Sequence, residues 1–161
     1  MEKLRISFEL LVYDTLDELS QSEKTLMQIA VEARENAYAP YSQFMVGAAV
    51  LLANGEIVIG NNQENASYPS GLCAERVALF QAGAKYPKVE IKTIAISASS
   101  NTHKVDRPAA PCGNCRQAIA EYEQKQNSPI SILMMGSSGK IFKCGSLEDI
   151  LPLAFGSSYL K

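Results

Sequence analysis

Apolar and polar positions alternate over residues 5–13, with Ile6, Phe8, Leu10 and Val12 on one side and Ser7 and Glu9 between them. That period of two predicts a short strand. Ser20 and Glu23 have capping-box spacing, and Leu26, Ile29, Ala30, Ala33 and Ala37 then mark one helical face, with Pro40 as its stop. Residues 38–42 form a loop into an apolar strand at 44–52. Asn54-Gly55 signals a hairpin returning over 56–61. A polar loop runs from Asn62 to Gly71. Helical spacing resumes from Cys73 to Ala82, with Gly83 as the expected stop. A strand over 91–98 centres on Ile94 and Ile96, and a polar loop follows through Ala110. A helix is expected at about 113–125. Strands at 130–135 and 140–144 flank Ser137-Ser138-Gly139, and a short helix at about 147–151 precedes the tail Leu153–Leu160.

This order predicts an α/β fold, a mixed sheet covered by helices. Five strands form the core, and residues 5–13 offer an extra N-terminal one. No repeat or linker divides the chain, so residues 1–161 read as one domain with 1–20 as an N-terminal extension.

Composition narrows the function. The chain is 47% hydrophobic and 20% charged, which is globular rather than disordered, and its net charge of −2 argues against a broadly basic nucleic-acid or membrane surface. No apolar run reaches the roughly 18–20 residues that span a bilayer. The N-terminus lacks the order of segments of a signal peptide, so a cytoplasmic location is expected.

The four cysteines carry the chemistry. Cys73 opens one helix, and Cys112 and Cys115 open another. Cys112-Gly113-Asn114-Cys115 alone is equally a redox pair, a metal half-site or chance. If the two helices pack side by side, three thiolates converge on one metal, and helix N-termini favour the thiolate form. Sulfur ligands select zinc over calcium or magnesium, and three protein ligands leave the open position of a catalytic site. Glu75, in the first turn after Cys73, is placed to move protons at that position; on its own it is also an ordinary first-turn carboxylate. Arg76 and Arg116 follow as groups able to hydrogen-bond the sulfurs, or as ordinary surface arginines. Cys144 reads as a packing residue, although a four-cysteine structural zinc would need it as the fourth ligand. His103, the sole histidine, lies outside every metal-motif position.

The segment Asn62-Gln63-Glu64-Asn65-Ala66-Ser67-Tyr68-Pro69, then Cys73-Ala74-Glu75-Arg76, then Pro111-Cys112-Gly113-x-Cys115-Arg116-Gln117, resembles the zinc-dependent cytidine/deoxycytidylate deaminase family, in its small free-nucleoside type. Tyr41-Ser42-x-Phe44-x-Val46-Gly47-Ala48-Ala49 and Leu151-Pro152-x-x-Phe155-Gly156 extend the resemblance across about Tyr38–Leu160. It implies a three-layer α/β/α fold and a homotetramer. It further implies hydrolysis of cytidine and 2′-deoxycytidine to the uridines, with release of ammonia. By the same resemblance one Zn²⁺ per subunit sits on Cys73, Cys112 and Cys115, and Glu75 is the proton shuttle. Asn62 and Glu64 grip the ribose 3′-hydroxyl, and Phe44 lines the base pocket. The backbone at Ala66 and Ala74 bonds the pyrimidine edge, and Phe155 reaches a neighbouring subunit's base. Ser157 departs from the proline that commonly follows the Phe-Gly pair. A related modified nucleoside is the alternative substrate, and a structural zinc protein the alternative class. A polynucleotide substrate fits poorly with a slightly acidic chain without tryptophan.

Overall fold

The computed structural model describes residues 1–160. Six strands and three helices follow in the order β1 (Leu11–Tyr13), α1 (Gln21–Arg34), β2 (Phe44–Leu52), β3 (Ile57–Asn61), α2 (Ala74–Lys85), β4 (Ile91–Ser100), α3 (Gly113–Gln126), β5 (Ser131–Met135) and β6 (Ile141–Cys144). The sheet order is β1-β6-β5-β4-β2-β3. Only β4 and β5 run parallel, joined through α3; every other pair is antiparallel.

Strand alternation sorts the core into two layers. Ala48, Val50, Ile94, Ile96, Ile132 and Met134 turn to the face covered by α2 and α3. Ala49, Ala95, Leu133 and Met135 turn to the face covered by α1. The result is the α/β/α sandwich expected, with both faces of the central strands buried.

Local chemistry fixes the ends of the elements. The Ser20–Glu23 capping box forms at the start of α1, with Glu23 N–H donating to Ser20 Oγ at 3.4 Å and Ser20 N–H to Glu23 Oε2 at 3.2 Å. Gly55 takes φ 87° in the β2–β3 hairpin, the left-handed region that a tight turn uses.

Four expectations are corrected. The N-terminal strand is confined to Leu11–Tyr13 rather than 5–13, because its partner β6 ends at Cys144 and offers nothing further to pair with. Gly83 does not stop α2, which continues to Lys85. Gly83 instead lies where a Cβ would fall 2.2 Å from the Tyr122 hydroxyl, so its smallness lets α2 and α3 approach. Helix α1 ends at Arg34, well before Pro40. Tyr38 then bridges to the 62–64 segment, its N–H donating to the Asn62 carbonyl at 3.0 Å and its carbonyl accepting from Glu64 N–H at 2.9 Å. The helix expected at 147–151 is a 3₁₀ turn over Leu147–Ile150.

Candidate active site

Packing α2 against α3 on one face brings their N-termini together. Cys73 is the N-cap of α2 and Cys112 the N-cap of α3, while Cys115 is buried in the first turn of α3. The Cys73 and Cys112 sulfurs are 3.8 Å apart and those of Cys112 and Cys115 3.5 Å, and all three lie within 4.8 Å of one another. A tetrahedral zinc with Zn–S bonds of about 2.3 Å places its thiolates about 3.8 Å apart. The cluster therefore fits zinc in both donor type and spacing.

The surroundings favour negative charge on Cys73, while the hydrogen bond to Cys73, burial and the nearby charges push the Cys115 thiol up. A hydrogen bond from Cys115 dominates the shift at Cys73 and, against the opposing effect of burial, Cys112 and Arg76 help hold its thiol down to about 5. Arg76 adds its positive charge beside Cys73 and Cys115, and its Nε is buried without a hydrogen-bond partner. Two helix N-termini contribute in the same direction. Glu75 is only 5% exposed, and burial, reinforced by the charge of Cys73, raises its carboxyl above the ordinary glutamate range. A buried carboxyl so placed is suited to accepting and donating a proton.

Cys73, Cys112 and Glu75 open into a cleft of about 770 Å³ that Phe44, Asn62 and Glu64 also line. Asn62 ties the loop after β3 to β2: its Oδ1 accepts from Val46 N–H at 2.8 Å and its Nδ2 donates to the Phe44 carbonyl at 2.9 Å. One oxygen of Glu64 accepts N–H groups from Tyr41 at 2.9 Å and Ser42 at 3.2 Å. A hydrogen bond from the Ser42 side chain, with these backbone donors, outweighs desolvation and lowers the Glu64 carboxyl below its usual range. Phe44 stacks with His103, ring centroids 6.3 Å apart.

The remaining expected site residues are placed differently. Ala74 is fully buried as the first residue of α2 and Ala66 is exposed on its loop, and neither is among the residues that line the cleft. Phe155 is 57% exposed, stacks on Tyr159 at 5.5 Å, and does not reach the cleft of its own chain. Arg116 corrects an expectation: its guanidinium donates to the Pro111 carbonyl at 2.8 Å and the Ile150 carbonyl at 2.7 Å rather than to sulfur, and so it fixes the chain entering α3. The sequence reading assigned no role to Tyr68, which meets Tyr41 edge to face at the rim of the cleft, centroids 6.3 Å apart. Aromatic residues 27 positions apart leave no local pattern; their loops are joined by the Tyr38–Gln63 bridge and by the bonds from Tyr41 and Ser42 to Glu64.

Residues 20–128 match the family model described as the cytidine and deoxycytidylate deaminase zinc-binding region. The chain belongs to this deaminase family. A cytidine deaminase from Sporosarcina psychrophila is 38% identical over 129 residues, 80% of this chain and 88% of that one. One from Halalkalibacterium halodurans is 48% identical over 96 residues, 60% of this chain and 68% of its own length. The crystal structure of cytidine deaminase from Burkholderia pseudomallei superposes with a TM-score of 0.72 at 37% identity, covering 85% of this chain and 100% of that one.

Within this deaminase fold Cys144 stands apart from the metal cluster. It is 1% exposed in β6, and burial pushes its thiol up to about 11. It packs in the core and does not close the three-sulfur site. Cys144→Ala therefore retains full zinc and full activity while costing about 1–2 kcal/mol of stability. Zinc analysis, a cytidine assay and a urea melt on one preparation check this; loss of zinc would make Cys144 a ligand.

Proposed function

We propose that this deaminase hydrolyses cytidine and 2′-deoxycytidine to uridine and 2′-deoxyuridine with release of ammonia; the relatives it resembles are named cytidine deaminase. The observation that carries the reading is the buried Glu75 carboxyl beside three convergent thiols, two of which open with it into a cleft of about 770 Å³.

Cys73, Cys112 and Cys115 hold one Zn²⁺ per chain. When bound, the metal supplies Lewis acidity that makes water nucleophilic near pH 7. Three thiolates on a dication leave a formal −1, which Arg76 and the two helix N-termini offset. Glu75 delivers a proton to N3 of the cytosine ring, making C4 more electrophilic, and then carries a water proton to the departing amino group. A water oxygen joins C4, the C4–N bond breaks, and ammonia leaves. Buried and with a raised pKa, Glu75 can both take and give that proton.

Asn62 and Glu64 hold the ribose 3′-hydroxyl. Asn62 keeps donor and acceptor capacity beyond its two backbone bonds, and Glu64 keeps one oxygen beyond its two. This grip ignores the 2′ position, so both sugars serve. Phe44 lines the base pocket. Ala74 stands between the cleft residues Cys73 and Glu75, where helix N–H groups lack helical partners, and its backbone meets the polar edge of the pyrimidine. Phe155 closes the base site of a neighbouring subunit in a homotetramer; its exposure and its distance from its own cleft support that role. We place the enzyme in the cytoplasm, in pyrimidine salvage, with neither a membrane nor a nucleic-acid polymer as partner. No helix among the described residues is long and apolar enough to cross a membrane.

The test is conversion of cytidine followed by ultraviolet absorbance, with Glu64→Gln alongside. Weakening a charge-assisted bond to the sugar raises KM about 10–100-fold. No uridine from zinc-loaded native protein would overturn the activity, and an unchanged KM in the variant would overturn the sugar grip.

A further inference from the structure

We infer that Gln117 and Gln124 are positioning residues that set the presentation of Phe155, an inference that rests on the role given to Phe155 above. Both lie on α3, seven residues apart and so on one face of the helix. Gln117 Nε2 donates to the Phe155 carbonyl at 3.0 Å, and Gln124 Oε1 accepts from Ser157 N–H at 3.2 Å. Gly156 between them lies flat on the Gln124 carboxamide; a Cβ there would fall 2.6 Å from both Nε2 and Oε1. The backbone on each side of Gly156 is thus pinned to α3, while the Phe155 ring stays exposed and stacked on Tyr159.

This arrangement accounts for Ser157. It is the first residue of the 3₁₀ turn Ser157–Leu160, a position that accepts proline. Proline would fix φ there but has no N–H. Serine leaves φ free and supplies the N–H that Gln124 takes. A hydrogen bond to α3 does the ordering work that a proline ring does through its own covalent geometry. The helix that carries Cys115 in its first turn thereby also holds the segment presenting Phe155, through side chains two and nine residues further on.

The experiment measures cytidine kinetics, zinc content and melting temperature for Gln124→Ala, Gln124→Glu, Gln117→Ala, Phe155→Ala and the Gln124→Ala/Phe155→Ala double variant. Gln124→Ala and Gln117→Ala each raise KM about 3–10-fold, the scale of one hydrogen bond, with kcat within twofold and zinc unchanged. Gln124→Glu, which keeps the acceptor, restores KM. Phe155→Ala raises KM more, and adding Gln124→Ala to it has no further effect. If Phe155→Ala raises KM while the glutamine variants do not, the clamp is wrong and the role of Phe155 stands. If Phe155→Ala leaves KM unchanged, the role of Phe155 fails and the clamp with it. A Gln124→Ala effect that persists in the Phe155→Ala background, or one seen only as a lower melting temperature, overturns the inference.

Discussion

Glu75→Ala yields a folded protein that still holds one zinc per chain and deaminates cytidine about 10³–10⁴-fold more slowly, with KM changed far less. In the proposed mechanism the side chain serves the reacting atoms and not the sugar, so its loss falls on the chemical step. It is also a buried carboxyl in the first turn of α2 with its pKa raised by desolvation. Removing it ends the cost of burying an ionisable group and leaves a small cavity, two opposing effects, so the variant should melt close to the native protein. Glu75→Gln keeps the shape without the proton transfer and should be nearly as slow. Steady-state kinetics with metal analysis on the same samples check this. Activity within tenfold of native in both variants would remove Glu75 from the mechanism.

Cys115→Ser loses zinc, activity and stability together. The sulfur is fully buried between two helix N-termini, and the other two sulfurs lie within 4.8 Å of it. A metal present at a thousandfold excess over its Kd stabilises the native state by about 4 kcal/mol. For a chain of this size that is about 8–16 °C in melting temperature. Treating the native protein with a strong chelator should lower its melting point by the same amount and bring it level with the Cys115→Ser variant. A chelator that leaves the native melting curve unmoved would show that the three sulfurs bind no metal of consequence.

The hairpin at Asn54-Gly55, the capping box at Ser20 and the two cysteine-led helices were legible in the sequence because each rests on chemistry local to a few residues. Each half of the metal site was legible for the same reason, at a helix start, while their meeting across 39 positions depends on α2 packing beside α3 and was read only as a condition and from the family resemblance. Expectations failed where a distant partner decided. Gly83 looks like a helix stop until Tyr122 of α3 is seen against it. The alternation over residues 5–13 outruns the strand because β6 ends first. Arg116 faces carbonyls of Pro111 and Ile150, the second of them 34 positions away. The clamp on Phe155 joins residues 38 and 33 positions apart, which no periodicity reveals.

X-ray absorption at the zinc edge of the purified enzyme tests the central claim most directly, since it counts the ligands. The account predicts three sulfurs at about 2.3 Å and one lighter oxygen or nitrogen atom at about 2.0 Å, an open catalytic site. Four sulfurs would make the site closed and structural, and would leave Glu75 without a reaction to serve.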